Sequence, residues 1–174
     1  MQLAGEDKLK IQSSILTEEE MRSPIFKGYL KEMITVMQDL FATGMAAIQV
    51  GWPKKVIIIG AKDLSRYDVF INATYKPIKR HGTFNSIENS INFPKKQFSL
   101  TRWNTIKVSY SGIFNNKWKT FSKKFRFESN LQQLIDLTNG ISLKNKGSYF
   151  GEYKPDIDIP SKTYLKYYGE DLNG

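Results

Sequence analysis

At 174 residues, with 40% hydrophobic and 13% aromatic content, the chain fits one domain large enough to bury a core. The formal net charge of +9 and pI near 9.6 suit a nucleic acid, an acidic partner or anionic lipid, although a lysine-rich soluble surface is the plainer reading. With no cysteine and His81 as the single histidine, disulfides, thiolate sites and imidazole–thiolate zinc or iron centres are excluded within one chain.

No apolar run approaches the roughly 18 residues of a membrane-spanning helix, and the acidic start, Met1 to Asp7, has no signal-peptide apolar region. The absence of cysteine favours a cytosolic origin, so a cytoplasmic location is expected.

Residues 1–16 read as an irregular arm. Thr17 to Glu20 has the capping-box pattern, and Ser23-Pro24 is a second helix start. Phe26, Leu30, Met33, Met37, Leu40 and Phe41 then share one face, which predicts an amphipathic helix to about Ala42, with the methionines as core filler. Thr43 to Pro53 is rich in small residues, with Gly44 and Gly51 near its ends, and reads as a tight helix-to-strand turn. Val56 to Gly60 and Val69 to Asn72 read as strands. Lys79 to Gly82 is a basic turn that leaves His81 exposed. Ser86 to Pro94 alternates weakly. Phe98–Leu100, Thr105–Tyr110 and Thr120–Phe127 are further strands, with Gly112 to Asn116 as the turn between the last two.

Leu131, Leu134 and Ile135 recur at helical spacing, and Gly140 falls where a left-handed cap would close the helix. Gln133 and Leu137 lie four apart and project from one face. In zinc hydrolases such a pair is often two histidines, with a glutamate just after the first. From Lys144 onward no helical period is visible. Tyr149, Phe150, Tyr153, Tyr164, Tyr167 and Tyr168 stand among Pro155, Pro160 and mixed charges, which predicts an extended aromatic tail lying on its own domain or on a neighbour.

Site chemistry is sparse. Nothing marks a nucleophile elbow or a phosphate loop, and Glu88 and Asp136 are isolated rather than clustered.

The order of pieces from about Leu9 through Leu143 resembles the peptide deformylase family, which removes the formyl group from N-terminal methionine. Ala42 to Gly51 is similar to its Gly-x-Gly-Leu-Ala-Ala-x-Gln-Val-Gly motif, with Gly44 kept and Gln49 at the glutamine that stabilises the transition-state oxygen. Its Glu-Gly-Cys-Leu-Ser motif falls on Glu88 to Asn92, with Ser90 at the metal-binding cysteine. Its His-Glu-x-Asp-His-Leu-x-Gly motif falls on Gln133 to Gly140, so Gln133 and Leu137 replace the ligand histidines and Leu134 the catalytic glutamate. Asp136 and Gly140 match, and the resemblance implies that Asp136 pairs with Arg102. One bacterial class ends in a helix that docks on the ribosome, whereas here the tail reads as proline-broken.

The resemblance implies an α+β fold with antiparallel or mixed sheets around a central helix, an N-terminal helix and an irregular C-terminal tail. Residues 1–143 are expected to form the domain and 144–174 the tail. Gly44, Gln49, Glu88, Ser90, Gln133, Leu134 and Leu137 are expected to line a vestigial pocket, while Arg102, Asp136 and Gly140 are structural. No cofactor or metal is expected, because an unactivated serine hydroxyl replaces neither ligand nor base. The expected function is an inactive relative serving as an interaction subunit of an assembly, with a phage virion or tail baseplate as the specific guess and Tyr149 to Tyr168 as contact area. The location would then be host cytoplasm or virion, the partners other protein subunits, and no membrane. A ribosome- or RNA-binding protein is the second reading, and an active deformylase with an unorthodox site the third.

Overall fold

In the computed structural model of the chain, residues 1–61, 65–154 and 158–169 are described. The first helices begin where local chemistry starts them. Thr17 Oγ1 accepts from the Glu20 amide at 3.1 Å and the Glu20 carboxylate accepts from the Thr17 amide, which opens a short helix at Glu18–Arg22. Ser23 caps the next helix and Pro24 occupies its first turn.

The helices, in chain order, are α1 (Glu6–Leu9), α2 (Glu18–Arg22), α3 (Pro24–Asp39), α4 (Ser129–Thr138), α5 (Leu143–Lys146) and α6 (Ser161–Tyr168). The strands are β1 (Gly44–Ala46), β2 (Val56–Gly60), β3 (Tyr67–Pro77), β4 (Thr83–Glu88), β5 (Lys96–Trp103), β6 (Thr105–Phe114), β7 (Lys117–Arg126) and β8 (Ser148–Glu152). One sheet has the order β1-β2-β3-β6-β7 and a second the order β4-β5-β8, with every neighbouring pair antiparallel.

Two apolar clusters flank the larger sheet. Met33, Val36 and Met37 of α3 pack with Met45, Val56, Ile58 and Ile71 on one side. On the other, Leu131, Leu134, Ile135 and Leu137 of α4 pack with Ile57, Phe70, Leu100, Ile106 and Val108. Every residue of α4 from Leu131 to Thr138 is buried, so this helix is the central one that the resemblance implies. Gly140 follows with φ +77°, and a Cβ there would lie 2.5 Å from the Lys10 carbonyl oxygen, so only glycine fits this crossing.

Several expectations need correction. The arm is not irregular: it forms α1, buries Leu9 and Leu16, and bonds Ala4 N to the Gln49 carbonyl and Ser13 N to the Thr138 carbonyl. Its order comes from distant partners, which local pattern does not reveal. Helix α3 stops at Asp39 because Phe41 takes a positive φ and the Ala42 amide folds back to the Met37 carbonyl. Gly44 starts a strand rather than a turn, and the Ala47–Val50 turn of 3-10 helix follows it. Gly112 lies inside β6, while Asn115 and Asn116 make the hairpin turn, both with positive φ.

The C-terminal stretch departs furthest. Residues 144–152 are not an extended tail, since α5 straddles the 143/144 boundary and β8 completes the smaller sheet on β5. Helix α6 packs Tyr164 against Tyr168, the rings tilted by 39° with centroids 4.5 Å apart, and closes on Gly169 at φ +68°. Pro160 precedes the helix instead of breaking it. Pro155, expected to keep this stretch extended, lies outside the described residues.

Candidate functional site

At the end of β4, on β5 and along α4, the charged side chains of Glu88, Arg102 and Asp136 meet out of solvent, and exposed Lys146 of α5 reaches them from the surface. Arg102, 1% exposed, donates through Nε and Nη2 to the two oxygens of Glu88, both at 2.8 Å, and through Nη1 to Asp136 Oδ2 at 2.6 Å. Lys146 Nζ donates to the same Asp136 oxygen at 2.7 Å and the Tyr75 hydroxyl to the other at 3.0 Å. Two carboxylates thus face two cations in a fully bonded group. Burial opposes ionisation of Glu88, but the paired guanidinium outweighs it and holds the carboxyl below its ordinary range. Burial, and then the Asp136 charge and hydrogen bond, push the Tyr75 hydroxyl far up. Next to this group Gln132 clasps the Trp103 backbone, donating to its carbonyl at 2.9 Å and accepting from its amide at 3.1 Å.

Gln133 joins the charged group directly. Its Nε2 donates to Glu88 Oε1 at 3.0 Å and to the Asn89 carbonyl at 3.4 Å, tying α4 to the end of β4. A second polar knot lies beside it. Gln49 Nε2 donates to Ser90 Oγ at 3.2 Å and to Asn92 Oδ1 at 2.9 Å, while Gln49 Oε1 accepts from the Ala46 amide. Asn92 Nδ2 donates to the Ala4 and Gln49 carbonyls. Leu134 and Asn130 press on Gly44, where a Cβ would meet Asn130 Nδ2 at 2.7 Å and Leu134 Cδ1 at 2.8 Å. Leu137 lies wholly inside the apolar cluster.

The seven residues expected to line a vestigial pocket therefore fall in one neighbourhood: Glu88 with Gln133, Gln49 with Ser90, and Gly44 with Leu134, with Leu137 in the core behind. Arg102 and Asp136 pair as the resemblance implies. Tyr75, Lys146 and Asn92 were not foreseen. Tyr75 and Lys146 lie 61 and 10 residues from Asp136 and carry no pattern that marks them. Asn92 sits in the second motif but has no distinguishing spacing.

The aromatic residues expected to form a contact surface divide. Tyr149 and Phe150 on β8 are 63% and 60% exposed. Tyr153 is half-buried, its amide bonded to the Lys95 carbonyl. Tyr164, Tyr167 and Tyr168 turn inward instead. Tyr164 is buried, Tyr167 donates to Asp39 at 2.5 Å and Tyr168 to the Ile91 carbonyl at 2.8 Å, because α6 presents one face to its own domain. His81 is half-buried in a turn of 3-10 helix, not an exposed loop.

The donor set does not fit a transition metal. At the three positions where the resemblance puts ligands, Ser90 Oγ is a hydroxyl already accepting from Gln49, Gln133 turns its amide nitrogen to Glu88, and Leu137 has no donor atom. Among the described residues, no three of His, Cys, Asp and Glu converge as a metal site would require.

A family profile described as polypeptide deformylase matches residues 2–148. A curated peptide deformylase from Brachyspira hyodysenteriae is 29% identical over 123 residues, covering 64% of this chain. The chain spans 65% of that relative's length. Among solved structures, the actinonin-bound class I type b peptide deformylase from Acinetobacter baumannii aligns at a TM-score of 0.70 and 23% identity, over 84% of this chain and 97% of that one. The peptide deformylase from Thermotoga maritima aligns at 0.69 and 20% identity, over 84% and 95%.

Proposed function

The chain belongs to the polypeptide deformylase family, and from that premise we propose that it keeps the fold as an interaction subunit of a larger assembly and does not deformylate. The observation that carries this reading is the bonding of Gln133. It stands at a ligand position of the family motif, yet its amide is committed to Glu88, which is itself held by Arg102. A metal in such hydrolases lowers the pKa of bound water to about 7, and a leucine at the general-base position offers no proton acceptor to replace that effect. The hydrogen bond from Gln133 joins the same two elements, the β4 end and α4, that shared ligands would join. The scaffold thus keeps a cross-link there without an ion.

An assembly role is supported by apolar area outside this core. Tyr149 and Phe150 stand exposed on β8, an edge strand of the smaller sheet. Large exposed aromatic side chains on an open edge suit a protein partner. A virion or tail particle is the kind of assembly proposed.

Metal analysis and turnover of a formyl-methionyl peptide test the reading. The purified protein is expected to hold no stoichiometric transition metal and to release no formate. The variant Ser90→Cys, Gln133→His, Leu134→Glu, Leu137→His is expected to take up one. Turnover that survives purification and is abolished by Gln133→Ala would overturn the proposal.

A further inference from the structure

The antiparallel register brings three lysines into one row across three strands. Lys76 of β3 faces Lys107 of β6, and Lys107 faces Lys124 of β7. All three are exposed and lie on one side of the sheet, since Pro77, Ile106 and Phe125 make the next row on the other side. Neighbouring strands lie about 4.8 Å apart, so the three cationic stems rise side by side. Like charges directly opposite each other destabilise a sheet. Among the described residues no salt bridge engages Lys76, Lys107, Lys124 or Arg126. The wider stretch is equally one-sided: from Asn89 to Phe127 the chain has nine basic residues and no acidic one.

Lysines often guard an exposed sheet edge against pairing with another chain. That explanation covers Lys124 on the edge strand β7. It does not cover Lys76 and Lys107, which lie on the interior strands β3 and β6. The rows on either side of the lysines are also telling. Thr74, Ser109 and Ser122 face one another in one, and Thr105 faces Arg126 in the other. The Arg126 end opens on a pocket of about 330 Å³ lined by His81, Asn104, Thr105, Arg126 and Phe127. Phe127 is 67% exposed there, braced edge-on by Phe84 with ring centroids 5.8 Å apart.

We infer that this open half of the larger sheet, with the lysine row Lys76–Lys107–Lys124 at its centre and Phe127 at its end, is a docking surface for single-stranded RNA. The lysines meet backbone phosphates, whose condensed counterions are released on contact. The hydroxyl row lies where it can exchange hydrogen bonds with 2′-hydroxyl groups, which DNA lacks. The exposed ring of Phe127, with Arg126 beside it, is a stacking platform for a base. An acidic peptide would use the charges but not the ring or the hydroxyls. This surface is separate from the buried charged cluster, so the inference stands or falls independently of the loss of deformylation.

The test is fluorescence anisotropy of a labelled oligouridine of about a dozen nucleotides against the full chain over a salt series. Binding is expected, weakening linearly on a log–log salt plot. Lys76→Gln, Lys107→Gln, Lys124→Gln together should reduce the slope by about 2, as three lost phosphate contacts require on a single strand. The control Lys8→Gln, Lys27→Gln, Lys31→Gln removes the same charge elsewhere and should leave the slope unchanged. Phe127→Ala should weaken binding about tenfold at an unchanged slope. DNA of the same sequence should bind several-fold more weakly. No binding at low salt, an equal loss in the control variant, equal affinity for DNA, or full competition by polyglutamate would each overturn the inference.

Discussion

Arg102 is the one cation that bridges both buried carboxylates among the described residues: Lys146 reaches Asp136 but not Glu88. Removing Arg102 leaves Glu88 and Asp136 buried with Lys146, Tyr75, Gln133 and Ser86 to answer them, and of these only Lys146, on Asp136, carries a charge. Arg102→Met should therefore cost about 3–5 kcal/mol in urea denaturation. Adding Glu88→Gln to that variant should recover part of the loss, because the stranded charge is then gone. The same residues set an acid limit. The folded carboxyl of Glu88 titrates below its ordinary value, so its stabilisation is present above the unfolded value. It is lost as pH falls below about 4 and through the folded one. A Glu88→Gln variant should be less stable at neutral pH and show a flatter pH dependence below that point. Of these residues, Glu88, Arg102, Asp136 and Gln133 are legible through motif positions. Tyr75 and Lys146 are not, because hydrogen bonds made across a fold leave no spacing in the chain.

Elements whose order is local were readable from the chain. Helix α3 carries its own cap and an apolar face, and α4 its own period and terminal glycine. The β6–β7 hairpin shows apolar and aromatic residues around an asparagine turn. Elements whose order depends on contacts with remote segments were missed. Strand β8 exists because β5 offers it an edge, and α6 because its tyrosines find Asp39 and Ile91. A composition of tyrosine, proline and glycine gives no period strong enough to predict either. The docking of α6 is accordingly sensitive to its hydroxyls. Burial raises Tyr167, aided by the hydrogen bond to Asp39, and burial raises Tyr168, aided by Tyr164. Both remain neutral when docked at a pH where free tyrosine ionises, so docking is complete below about pH 10 and is lost as pH rises through the folded values. Hydrogen exchange in α6 should accelerate at alkaline pH, and Tyr168→Phe should weaken the docking by about 1 kcal/mol at neutral pH.

At the scale of the whole molecule, the chain is organised around α4, with one apolar cluster against it and another beneath α3 on the far side of the larger sheet. Gln133 bonds to the β4 end while Leu134 and Leu137 lie in the core, so that helix is a packing and hydrogen-bonding element along its buried length. The N-terminal arm closes over this arrangement. Ala4 bonds to Gln49 and Asn92, Ser13 to Thr138, and Lys10 crosses Gly140 where no side chain fits. During synthesis the arm emerges before α4 and meets its last partners only when residue 140 has emerged. Until then the arm is held by Gln49, Pro53, Lys55, Asn72 and Asn92 but not by Thr138, so a segment made early is among the last to settle fully. Nascent chains arrested before α4 should be cut by protease within residues 1–16, and chains released after it should be protected there.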